Sequence, residues 1–133
     1  MVLALRRVGG MLMKEAWRLL RCKNGKPHTL MHGYHGSKEL TQDRVLRAVQ
    51  RDVRNPGKQV GPTFVSGWHV LFDKAEVEAY RKRFKDDGDL VTCRVSVACC
   101  EPKPRSPANV QLARYLKIDS LDWAKALESH GPV

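Results

Sequence analysis

Apolar positions between Glu15 and Cys22 keep a two-residue beat, with Trp17 and Leu19 on either side of Arg18 and then Leu20 and Cys22. That beat predicts a strand. Asn24-Gly25 separates it from a second run reaching Met31, and both turn residues tolerate positive φ, so the chain is expected to open with a β-hairpin. A helix over residues 16–21 is the competing reading, which so short a stretch leaves open.

The beat then changes to helical spacing. Val45, Leu46, Val49 and Val53 fall on one face of a helix predicted over residues 41–54, which opens at Thr41 and stops at Asn55-Pro56-Gly57. Its other face would carry Arg44, Arg47, Arg51 and Arg54, which at about 100° per residue share an arc of about 80° and form a guanidinium stripe.

Beyond Gly61-Pro62, residues 64–72 read as a strand with Gly67 inside it. Asp73 with Glu76 three residues on reads as a capping pair, opening a helix that runs to Phe84. Residues 90–99 alternate, with Val91, Cys93, Val95, Val97 and Cys99 on one face and Thr92, Arg94 and Ser96 on the other. Three prolines make residues 101–109 a stiff loop. A strand over 110–118 and a helix capped by Ser120, running to His130 with Leu121, Trp123, Ala124 and Leu127, complete the chain. The expected class is α+β, a mixed or antiparallel sheet of about five strands with three helices packed on it.

Length sets the domain number. With 133 residues, 42% of them apolar, the chain suits one core, expected over residues 13–133. Residues 1–12 read as an N-terminal appendage ahead of a natural start at Met11 or Met13; the apolar run 2–5 is too short to span a bilayer. Cys22, Cys93, Cys99 and Cys100 form no CxxC pair and no dense framework, so reduced thiols in a cytoplasmic protein are expected.

Charge narrows the partners. The net charge is +10, and it is uneven: residues 1–57 hold 12 Lys and Arg against 4 Asp and Glu, while residues 58–133 hold 12 against 10. Such a field attracts polyanions, whether nucleic acid, an acidic protein surface or anionic lipid, and the first two are the expected partners. The stripe of Arg44, Arg47, Arg51 and Arg54 is the expected contact, joined by Lys103 and Arg105 between prolines. Arg81, Lys82, Arg83 and Lys85 are balanced by nearby acids and read as a solvated face. His28, His32 and His35 lack a converging further ligand, so no metal is expected, and no cofactor. His69 reads as a core histidine donating to a backbone carbonyl.

Two resemblances add to this. Tyr34-His35-Gly36-Ser37 resembles the first-strand signature of ADP-ribosyltransferases, and Gly67-Trp68-His69 with the helix holding Ala75, Ala79 and Tyr80 is similar to that family's second element. This likeness implies an enzyme in which His35, Trp68 and His69 surround a nicotinamide dinucleotide. The family's late glutamate has one counterpart here, Glu101, which runs straight into Pro102. Over residues 16–118, the Asn-Gly turn, the Gly-Trp-His segment, the alternating strand, the proline loop and the last strand resemble small phage and prophage proteins. That resemblance implies an accessory role in phage biology, not a reaction. Together with the charge placement it gives the expected function, a protein in the cytoplasm of a bacterial host that binds nucleic acid or a nucleoprotein complex, an inhibitor of a host defence system being one form of it. The ADP-ribosyltransferase-like enzyme is the alternative.

Overall fold

The computed structural model describes residues 5–8, 10–30, 37–49, 52–53, 64–65, 67–104, 106 and 108–131. The chain is α+β. Strand β2 (Met11–Lys23) pairs antiparallel with β1 (Leu5–Val8) before it and β3 (Lys26–His28) after it. Asn24 and Gly25 turn the β2–β3 hairpin at φ 53° and 74°, as the Asn-Gly pair predicts. Short strands β4 (Val45–Arg47), β5 (Asp52–Val53), β6 (Phe64–Val65) and β7 (Trp68–Val70) follow, then helix α1 (Lys74–Arg81). Strands β8 (Leu90–Pro102) and β9 (Gln111–Lys117) and helix α2 (Ser120–His130) end the order.

The long strands curl into a ring. β2 pairs with β8, β8 with β9, and β9 with β7, all antiparallel. The free end of β7 then returns to β2, where Trp17 and Leu71 exchange both backbone hydrogen bonds, at 2.7 and 2.9 Å. β4 pairs with the far end of β9, and β5 with β6 forms a separate two-stranded ladder. β9 meets β8 only from Ser96 onward, and α2 packs against β8.

Alternation places the core. Ala16, Leu20, Val91, Cys93, Val95 and Val97 bury one face of β2 and β8 together with Val70, Ala113 and Leu116, and α2 adds Trp123 and Ala126. The Trp123 indole donates to Gly25 O at 2.9 Å, tying the last helix to the first turn. On the other face Leu19, Leu71 and Val110 pack under Val77, Tyr80 and Phe84 of the α1 region.

Four expectations need correction. The helix expected over residues 41–54 is absent from the described part of that range, 41–49 and 52–53: Asp43 takes φ 60°, and Val45–Arg47 pair with Lys117–Tyr115 as a strand. The spacing of Val45, Leu46, Val49 and Val53 fits a helix, but β-branched residues also suit a pleated surface, and the unpaired edge of β9 decides between the two. With the helix goes the guanidinium stripe, and among the described residues the helices are two, α1 and α2, in place of three. The alternation of β8 holds to Val97 and breaks at Cys99, which sits at φ 56° and is exposed, so that Cys100 instead packs against the core. Glu76 does not reciprocate the Asp73 cap; Asp73 accepts from Ala75 N, while Glu76 accepts from Asn109 Nδ2. Finally, α2 is entered at Asp119, and Ser120 N is satisfied from outside the helix by the Asp43 carboxylate at 2.8 Å.

Candidate anion-binding site

A close approach positions the site. A Cβ on Gly67 would lie 2.9 Å from Ala113 O and 3.3 Å from Leu112 Cβ, so only glycine lets the chain enter β7 against β9 at this spacing. Trp68 then stands opposite Ala113 and His69 opposite Leu112. The Trp68 indole donates to Leu46 O at 3.2 Å, linking β7 to β4.

The seam between β7 and β2 opens after its single bridge. Continuing the Trp17–Leu71 register would set Leu19 opposite His69, yet the His69 carbonyl accepts instead from Arg18 Nη1 at 2.8 Å. Arg18 therefore fills the gap where the ladder stops. It is 6% exposed, its guanidinium lies 5.4 Å from the centre of the Trp68 ring, and its Nε has no hydrogen-bond partner. Burial lowers its pKa from 12.5 to about 10, against a smaller opposing effect of Tyr80.

More positive charge faces the same place. Lys103 N donates to Val110 O just beyond the Pro102–Gln111 pair, so Lys103 continues β8 alongside β9. Burial and then Arg83 lower the Lys103 pKa. Arg83, in the turn after α1, sits 5.9 Å from the centre of the Tyr80 ring. Burial raises the Tyr80 pKa, with Arg18 and Arg83 pulling the other way. His69 is pushed down to about 4, first by burial, then by Lys103 and Arg18, with a Gly67 backbone hydrogen bond opposing. His69 is thus neutral near pH 7. His69 is half-buried and belongs to neither core cluster, and its backbone hydrogen bond is to Gly67.

Buried Arg21, three residues along β2, shows the contrast. Its Nη1 meets Asp89 Oδ1 at 2.7 Å and its Nη2 donates to Lys85 O. No carboxylate acts on Arg18 or Lys103 in this way among the described residues. The carboxylate closest in register is Glu101, opposite Leu112 and exposed at the end of β8, and it is not among the groups that shift His69. Like charges gathered without a counter-charge repel one another, and an oxyanion with several acceptor oxygens is the group that would satisfy them.

Of the residues singled out in the sequence, Trp68, His69 and Lys103 come together here. Arg44 and Arg47 do not; both are exposed, Arg47 lying opposite Tyr115 at the β4 edge. Arg51, Arg54, Arg105 and His35 lie outside the described residues. Arg18 and Arg83 were missed: Arg18 was read as the polar beat of a half-buried strand, and Arg83 as part of a solvated face. A signal existed in residues 16–22, where apolar residues on both faces mark a strand buried on both sides, so that an arginine within it must be buried too.

Among the described residues no three His, Cys, Asp or Glu side chains gather as metal ligands, and no helix is long and apolar enough to cross a membrane. The Cys93 thiol is pushed up to about 12, mainly by burial, which removes thiolate character. Compared with known proteins, the chain matches no family model, no curated protein and no solved structure.

Proposed function

We propose that this protein is a non-enzymatic accessory domain that binds nucleic acid or a nucleoprotein complex through its phosphates, with Arg18, Arg83 and Lys103 as the anchoring cations. One observation carries the reading: Arg18 and Lys103 both act on His69 with no carboxylate acting on either, and Arg83 stands near Lys103 and Tyr80, within a chain of net charge +10. A phosphate group supplies the missing counter-charge, and its oxygens suit a planar guanidinium. Exposed Arg44 and Arg47 at the β4 edge extend the positive surface along a strand too long for the first site alone. The resemblance to small phage proteins favours an accessory role, in which a basic domain occupies the polyanion site of a host defence complex.

Binding to random single- and double-stranded nucleic acid across a salt series tests this. The affinity is expected to fall with salt as several counter-ions are released. Arg83→Glu with Lys103→Glu should weaken binding by about tenfold or more and make the salt slope shallower by about two ions. Unchanged affinity and slope in that double variant would overturn the assignment. Arg44→Glu with Arg47→Glu measures what the β4 edge adds.

A further inference from the structure

Away from the Arg18 cluster, a groove runs between α1 and α2 over the outer face of β2 and β8. Two adjoining hollows of about 140 and 170 Å³ form it, sharing Lys74, Thr92, Ala126 and Ser129 as common walls. Trp17 lines its floor, and Lys74 Nζ stands 5.2 Å from the centre of the Trp17 ring. Thr92 and Arg94 complete the floor, while Lys125 and Ser129 of α2 form the wall opposite α1.

The other two tryptophans differ. Trp68 and Trp123 both donate their indole N–H to backbone carbonyls, whereas Trp17 lies half-buried at the groove with a flexible lysine over its face. Trp17 and Arg94 are directly opposed in the β2–β8 ladder, so they share one face. Arg94 is paired with Glu15, and Glu78 is engaged by Arg81 and by Thr92, while Asp122 is a further carboxylate lining the groove. An aromatic face, the Ser129 hydroxyl and three cations that outnumber the Asp122 carboxylate in the same hollow suit an aromatic base joined to a phosphate.

We infer that the α1–α2 groove is a nucleotide site, in which a base displaces Lys74 from the Trp17 face and stacks there while Arg94 and Lys125 hold the phosphate. Ser129 is placed to bond a sugar or phosphate oxygen, while the Thr92 hydroxyl stays held between Glu78 and Arg81. The source of the nucleotide is either a free nucleoside monophosphate or one unstacked residue of a single strand. This site is distinct from the Arg18 cluster and stands whether or not that cluster binds a strand.

The full chain is titrated with a nucleoside monophosphate, the matching nucleoside, inorganic phosphate and a short single-stranded oligonucleotide, followed by tryptophan fluorescence and calorimetry. The monophosphate is expected to quench Trp17 emission and to bind about tenfold or more tightly than nucleoside or phosphate alone. Lys125→Glu, an exposed change, should weaken it by about tenfold, and Trp17→Phe should remove the quench while calorimetry still reads the residual affinity. Tighter binding of the oligonucleotide with the same dependence on Lys125 and Trp17 assigns the source to a strand; preference for the monophosphate assigns it to a free nucleotide. Absence of quench and heat for both at millimolar ligand, or binding that neither variant alters while thermal melting shows both folded, overturns the proposal. Arg83→Glu with Lys103→Glu should leave monophosphate binding unchanged, which separates the two sites.

Discussion

Replacing Arg18 with methionine separates what this residue does for folding from what it does for binding. The buried guanidinium has its pKa lowered from 12.5 to about 10, which at about 1.4 kcal/mol per unit biases the fold against the charged form by about 3 kcal/mol. Methionine keeps most of the apolar stem against Trp68 and removes that penalty. It also strips the His69 carbonyl of its donor, and an unsatisfied buried acceptor costs about 1–3 kcal/mol. The two terms nearly cancel, so Arg18→Met should unfold at a stability equal to the parent or up to about 2 kcal/mol higher. Urea titration read by circular dichroism resolves this, since at a slope of about 2 kcal/mol per molar a change of 1 kcal/mol moves the midpoint by about 0.5 M. In the same variant, affinity for nucleic acid should fall severalfold. Asp89→Ala is the control: it leaves buried Arg21 without its carboxylate and should cost about 3–5 kcal/mol. A loss above about 3 kcal/mol in Arg18→Met would refute the reasoning, because it would mean that Arg18 is a paired structural cation like Arg21.

Two further outcomes follow from the same region. Because the folded pKa of His69 is about 4 and its ordinary value 6.5, the unfolded chain takes up a proton in that window that the folded one refuses. The contribution is complete above pH 6.5 and is lost as pH falls through 4, up to about 3 kcal/mol; His69→Gln should flatten that segment of the stability profile, and an imidazole titrating near 6.5 by NMR would contradict it. Gly67→Ala forces a Cβ to 2.9 Å from Ala113 O, so melting experiments should show a loss of about 1–3 kcal/mol, and an unchanged melting temperature would show that β7 can move off β9.

Local chemistry was legible where one rule acted alone. Asn24-Gly25 has few alternatives to a tight turn, and the Val91–Val97 beat has none once a single face is buried, so both elements appear as expected. Residues 45–53 failed because their apolar positions satisfy helix and strand alike, and the choice rests with Lys117–Tyr115, about 70 residues away in sequence. The cationic cluster was half visible for a related reason. Trp68, His69 and Lys103 drew notice through residue type and proline context, whereas Arg18 and Arg83 join them only because β7 closes on β2 and α1 ends above that closure. Contacts made by ring closure leave no periodicity to read.

The Trp17–Leu71 exchange is also a clasp. Every other seam of the ring is a ladder of three or more registered pairs, while this one holds by two backbone bonds and the Arg18 side chain. Local opening is governed by the weakest boundary, so the amides of Trp17 and Leu71 should trade their protons with solvent well before those of β8. An anion that drew Arg18 away from His69 would loosen the clasp further, and one that held the guanidinium in place would slow the exchange. Proton exchange at the Trp17 and Leu71 amides thus becomes a clock for occupancy of the Arg18 site beside them.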